Sequence, residues 1–436
     1  MTAKAAGPKG LWYYGWNIVA VAVLSQTAAN GLALNSMSLF LHDWASDLHA
    51  PVSQLLLALL PFSIAVAISS PFIGTLADKY PARLLIAAGL AGIAAFCLLM
   101  SVATAAWHIW VLYGTLFPVA LGLCALATVN AVVSRWFVRR LGLALGITAL
   151  GSAISGMILP PVIAWVMPEI GWRGVWRVSG LITALLILPL VAWVVRDRPT
   201  EREGLHYLSG ETPPTASDHG PGTEDPADLR STDILKRRNF WLLVLCYTPV
   251  LGLFGATQQN MAPIAASHGF GQNTAGMLLA VLSTSQMFAT LLLGLASDRF
   301  GNRLPLASLS VLIAAGAAFL SFGESLPALL AGAALIGFTG GIWTLLPAAT
   351  AVEFGASGVG RAFGMLMFFL PISALSSSLL AKVEETTGSY APALAGVSAI
   401  CLMGGVAILF MRERRGGHAT AAEKVAALEE SINPLI

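Results

Sequence analysis

Gly294-Leu295-Ala296-Ser297-Asp298-Arg299-Phe300-Gly301-Asn302-Arg303 is a short basic turn set between two long apolar runs. Half a chain earlier stands a second copy, Gly74-Thr75-Leu76-Ala77-Asp78-Lys79-Tyr80-Pro81-Ala82-Arg83, in the same setting. Further matches share nearly the same offset: Gly122 with Gly340, Gly146 with Gly364, Ser155 with Ser373. A repeat of this length implies two similar halves, related by an axis along the membrane normal. The copies differ in one respect that matters for geometry. Proline fixes φ near −65°, so Pro81 cannot make the left-handed turn available to Gly301.

Working outward, the composition is that of a membrane protein. The chain has 436 residues, 56% hydrophobic and 11% charged, against roughly 25% charged in a soluble domain. A net charge of +2 points to no nucleic-acid partner. A crossing helix needs about 20 apolar residues. Twelve stretches qualify: 17–41, 52–76, 84–104, 108–134, 142–167, 174–195, 240–265, 273–297, 304–322, 327–352, 361–381 and 390–411. The reading is therefore an all-α membrane protein of two pseudo-symmetric six-helix bundles. Residues 1–196 form the first bundle and 240–411 the second. Residues 197–239 make a linker rich in Pro, Gly and acids, with a short helix expected at 234–239, and 412–436 form a tail.

Lys and Arg set orientation. With the N-terminus inside, every basic residue of the 24 falls on inner segments except Arg173, Arg177 and Lys382. Both termini are then cytoplasmic, and the first span is expected to be retained as an anchor. Cys97, Cys124, Cys246 and Cys401 lie far apart in apolar runs and read as small packers, not as disulfides or metal ligands. No phosphate-binding Gly-x-x-x-x-Gly-Lys-Ser/Thr loop, Gly-x-Ser-x-Gly elbow or His-Glu-x-x-His occurs. No enzyme activity, cofactor or metal is expected.

The repeated turn resembles the loop signature Gly-x-Leu-x-Asp-Arg-x-Gly-x-Arg of the major facilitator superfamily. Ala296 replaces the Leu of one copy and Pro81 the second Gly of the other. Arg135-Trp136-Phe137-Val138-Arg139-Arg140-Leu141-Gly142, Trp12-Tyr13-Tyr14-Gly15-Trp16 and Gly171-Trp172-Arg173 resemble the monocarboxylate or oxalate/formate-like branch. The resemblance implies alternating access with a small-molecule substrate, as a monomer in the cytoplasmic (inner) membrane. It also implies a cytoplasmic latch, with Asp78 near Arg361 and Gly364, and Asp298 near Arg139, Arg140 and Gly142. Arg83, Arg299 and Arg303 flank the latch, and Glu353 with Arg361 would serve as inner-gate charges.

No Asp, Glu, Lys or Arg lies deep in any span. Members of the monocarboxylate branch commonly carry such a charge in span eight, so its absence here argues against proton-coupled symport. The centre is amide and aromatic instead. Gln26 and Asn30 are four apart on span one, as are Tyr113 and Phe117 on span four. Gln258, Gln259, Gln286, Trp343 and Phe369 complete the candidate substrate-binding set, because spans one, four, seven and ten line the cavity in the fold the chain resembles. Each amide is as readily explained as a bond between helices. His42, His49, His108 and His268 fall at outer ends and read as solvated. Gly146, Gly151 and Gly156, five apart, place small surfaces around span five, ahead of Pro160-Pro161. The leading substrate is a small organic acid. The alternatives are export of a neutral or amphiphilic aromatic compound, and a non-transporting receptor that kept the fold.

Overall fold

The computed structural model describes residues 14–124, 129, 132, 133, 136, 137, 141–196 and 231–411. Eleven helical stretches are apolar and long enough to cross a membrane, and one of them, Gly146–Val194, is 49 residues long. That stretch holds two crossings, because its helix Leu141–Ile182 breaks at Gly171, with φ 69° and ψ 166°. Twelve crossings result. Lipid offers no partner for backbone polar groups, so each crossing must satisfy its own, and the helices that result are near-continuous.

Span one is Gly15–Asn30, a wide π-turn Gly31–Asn35, and Met37–Asp47. Span two is Val52–Leu56 with Leu59–Lys79, and span three is Ala82–Met100. Span four is Ala106–Gly114 with Leu116–Leu123. The second half opens with a short helix, Ser231–Lys236, followed by span seven, Arg238–Gln259 with Met261–Ser267. Spans eight and nine are Gln272–Phe300 and Arg303–Phe322. Leu326–Thr339 and Ile342–Met367 carry span ten and the start of span eleven. Leu370–Thr387 completes span eleven, and Ala391–Leu409 is span twelve. Prolines 327, 371 and 392 sit in first turns, where the missing N–H would have no helical partner anyway.

The repeated turns diverge as their residues require. Gly301 closes span eight at φ 75° and ψ −179°, a region essentially restricted to glycine. Pro81, at φ −57° and ψ 128°, instead starts span three directly. Gly301→Ala is therefore expected to destabilise the protein by roughly 1–3 kcal/mol, and Pro81→Ala by less than about 1 kcal/mol. Melting of the detergent-solubilised variants checks the contrast, and equal midpoints would refute it.

Lipid tails are as apolar as leucine, so close packing rather than hydrophobic burial joins the spans. The first half packs around an aromatic cluster. Phe40, Trp44, Trp176 and Phe96 lie with ring centroids 5.6–6.1 Å apart in successive pairs. The four cysteines are buried and free. Span five uses its glycines on two faces. Gly151 admits Gln26 and Val23 of span one, and Gly156 admits Ser283 of span eight. The tyrosine–tryptophan lead-in to span one packs inward: Tyr14 donates to Val194 O at 2.8 Å, and its ring lies 5.4 Å from Trp136.

Candidate functional site

The two halves meet on a polar junction built around the π-turn of span one. An i→i+5 turn is wide and leaves carbonyls for outside donors. Three of its carbonyls accept from side chains. Tyr113 of span four donates to Ala33 O at 2.9 Å, and Gln259 of span seven donates to Leu34 O at 3.0 Å. Ser36 Oγ turns back to Gly31 O at 2.9 Å. A side chain at Gly31 would meet Ser155 Cβ at 3.2 Å and the Leu159 side chain closer still, so glycine lets span five approach.

Asn35, absent from the sequence-derived set, holds the centre. Its Nδ2 donates to Ser152 O at 2.8 Å and Ser155 Oγ at 2.7 Å, both on span five. Its Oδ1 accepts a long 3.4 Å bond from Gln258 Nε2 of span seven. Ser283 of span eight lies just across Gly156, within reach of the same cluster. Residues from spans one, five, seven and eight thus converge with no ionisable group among them. Asn260, beside Gln259 on span seven, is fully buried and donates to Ala256 O and Ser377 O at 2.8 and 3.1 Å.

The expected set divides. Gln258 and Gln259 are in the junction. Gln26 and Asn30 pair with each other along span one, Asn30 Nδ2 donating to Gln26 Oε1 at 3.1 Å and Gln26 O at 3.0 Å. Gln26 is 4% exposed and its Nε2 is without a hydrogen-bond partner. Tyr113 and Phe117 are fully buried and belong to the aromatic packing of the first half, Phe117 lying between Phe62 at 5.2 Å and Phe96 at 4.8 Å. Gln286 is half-buried and lies over Gly340 of span ten. Trp343 is 40% exposed. Phe369 sits against Trp241 at the start of span seven, 6.0 Å between centroids, at the end of the molecule that carries the repeated turns. No signal in the sequence singles out Asn35: one extra residue in the wide turn breaks the phase that joins it to Gln26 and Asn30.

The gate charges are distributed as follows. Glu353 is 8% exposed and accepts from Asn239 Nδ2 at 2.8 Å. Arg237 donates to its backbone oxygen at 3.1 Å and lies 3.9 Å from its carboxylate. Glu353 therefore fastens span ten to span seven within the second half. Arg299 stacks over Phe300, 5.4 Å from the ring centre, and Arg83 is exposed. Arg303 is half-buried, and Asn302 beside it pairs with Ser297 Oγ. Arg139 and Arg140 lie outside the described residues, as do the side chains of Asp78, Asp298 and Arg361.

At the end away from the repeated turns, Trp172 Nε1 and Arg173 Nη1 donate to Asp47 at 2.9 and 2.5 Å. The Trp172 bond first, then Arg173, hold its carboxyl below the usual carboxylate range. Two of the four histidines bind backbone rather than standing free in solvent. His108 Nδ1 accepts from Thr104 and Ala105 N–H at 3.2 Å, and His268 Nε2 lies 2.9 Å from Leu320 O. Among the described residues, no three His, Cys, Asp or Glu side chains gather as metal ligands.

Two six-span halves joined through an uncharged amide junction define a multi-pass membrane protein of the transporter kind. The chain belongs to the Major Facilitator Superfamily, whose profile matches residues 21–262 and again 252–433. It is a secondary transporter, not an enzyme. Monocarboxylate transporter 12 of Rattus norvegicus is 25% identical over 417 residues, covering 89% of this chain and 83% of that protein. Monocarboxylate transporter 11 of Mus musculus is 26% identical, covering 93% and 88%. Among solved structures, the nucleoside transporter NupG matches with a TM-score of 0.67 at 13% identity, over 92% of this chain and 100% of that one.

Proposed function

We propose that this chain moves a small organic acid across the cytoplasmic (inner) membrane by alternating access, with both termini in the cytoplasm. Support comes from the monocarboxylate transporters among its relatives and from the distribution of basic residues. The observation that carries the reading is the Asn35–Gln258 junction, which joins the halves at mid-span through groups a polar solute can replace. The loop aspartates Asp78 and Asp298 are proposed as the cytoplasmic latch, meeting Arg361 and the Arg139–Arg140 pair. The working unit is proposed to be a monomer.

The charge-free centre favours one form of the cargo. A bare charge at mid-membrane costs roughly 2.5–3.5 kcal/mol, and no Lys or Arg lies deep in any span to offset it. The acid is therefore carried undissociated, its proton crossing on the substrate itself and not on a charged side chain of span eight. In proteoliposomes, uptake of a labelled monocarboxylate is expected to saturate and to rise as external pH falls toward its pKa. Saturable uptake that ignores pH would overturn the carried form. The same charge-free centre favours a second reading, export of a neutral or amphiphilic aromatic compound. Absence of carboxylate flux together with tolerance to such a compound in cells would establish it.

A further inference from the structure

Between mid-span and the end opposite the repeated turns, a set of hydrogen bonds joins the two halves. Several of them tie span one to spans seven and eight, and two further seams flank that contact. Along the seam of spans two and eleven, Ser53 N and Oγ both donate to the Glu385 carboxylate, at 2.9 and 2.8 Å. Ser378 Oγ donates back to Ser53 O at 2.7 Å. Lys382 Nζ stands 3.4 Å from the same carboxylate, whose side chain is 21% exposed. Three bonds thus converge on one serine of the other half, two of them to an ionised acceptor.

The seam of spans five and eight is made differently. A side chain on Gly276 would meet Pro160 O at 2.9 Å and Ala164 Cβ at 3.0 Å, and one on Gly156 would meet Ser283 Cβ at 2.9 Å. Here backbones touch along the helix, through small residues. At the offset relating the halves, Glu385 corresponds to Met167, whose Sδ only meets Gln272 Nε2 at 3.9 Å. The duplication therefore put a carboxylate fastener on one seam and close backbone packing on the other.

We infer that the two seams have different jobs. The seam of spans five and eight is the pivot, and the Glu385–Ser53–Ser378 cluster is the clasp that must part when this end of the transporter opens. Directional bonds to a charged acceptor are lost in one step when the strands of contact separate, whereas interlocked small residues tolerate rotation without parting. The inference rests on alternating access and is independent of the substrate's identity.

Spin-label pairs test it without any solute present. The native cysteines are buried, so cysteines introduced at the exposed positions Pro51 and Thr386 report the first seam, and those at Glu169 and Asn273 the second. In Glu385→Ala, the 51–386 distances are expected to gain a longer component populated on the order of tenfold more, while the 169–273 distances stay put. Ser378→Ala, which leaves the carboxylate in place, is expected to give a smaller shift of the same kind. Unchanged 51–386 distances, or equal widening of both pairs, would overturn the assignment. Failure of carboxylate uptake alone would leave it standing.

Discussion

Gly337→Ala is expected to be among the most damaging single-methyl additions in the chain. Its Cβ would fall 2.7 Å from the Leu282 carbonyl carbon and nearer still to the oxygen. Spans ten and eight meet there backbone to backbone, so no side chain can swing aside. Overpacking costs about 1–3 kcal/mol even where side chains can adjust, so a loss at or above the top of that range is expected. Sharply reduced yield of monodisperse protein and a lowered melting midpoint would show it. Gly340→Ala, one turn on, supplies the comparison. Its Cβ would meet Cγ, Cδ and Nε2 of Gln286 at 2.5–2.9 Å, and that side chain can rotate away. Stability should fall by less than about 1 kcal/mol, while transport changes if Gln286 faces the solute. Equal losses of stability in the two variants would refute this account of the packing.

Asn35→Leu carries the second large effect. It removes the bonds from Asn35 to Ser152 O, Ser155 Oγ and Gln258 Nε2, leaving Gln258 Nε2 without the partner described for it and loosening span one from spans five and seven. Each polar group left buried without a partner costs about 1–3 kcal/mol. Transport is expected to drop more than about tenfold, with the protein still extractable as a monodisperse species. Asn30→Leu is the control, since Asn30 bonds only within its own turn of span one; its effect should be several-fold smaller. Similar flux defects in the two variants would remove Asn35 from the centre of the mechanism.

These two expectations also show where sequence reading stops. Periodicity gives the face a residue occupies, not its partners; Gln258 and Gln259 of span seven bond to Asn35 and Leu34 of span one. Periodicity placed Tyr113 and Phe117 on one face of span four, but a face does not say whether the neighbour is a solute or another ring. Phe96 and Phe62 fill that space, and Tyr113 spends its hydroxyl on the π-turn. Phe369 read as central, yet Trp241 draws it to the end with the repeated turns. Glu353 read as a gate charge; the structure shows it bound to Asn239 and Arg237 of its own half.

By itself, the sequence determined what depends on local composition and backbone chemistry. The twelve apolar runs, the two halves, the divergent turns at Pro81 and Gly301 and the lack of charge deep in the spans all follow from residue type and spacing. Only the tertiary structure decided which polar groups meet. The wide turn at Gly31–Asn35 shifts the register of span one by a residue. The partners of Asn35 and Ser53 lie more than a hundred and more than three hundred positions away along the chain. Contacts over such separations are fixed by how whole helices lean on one another, and no local pattern encodes that.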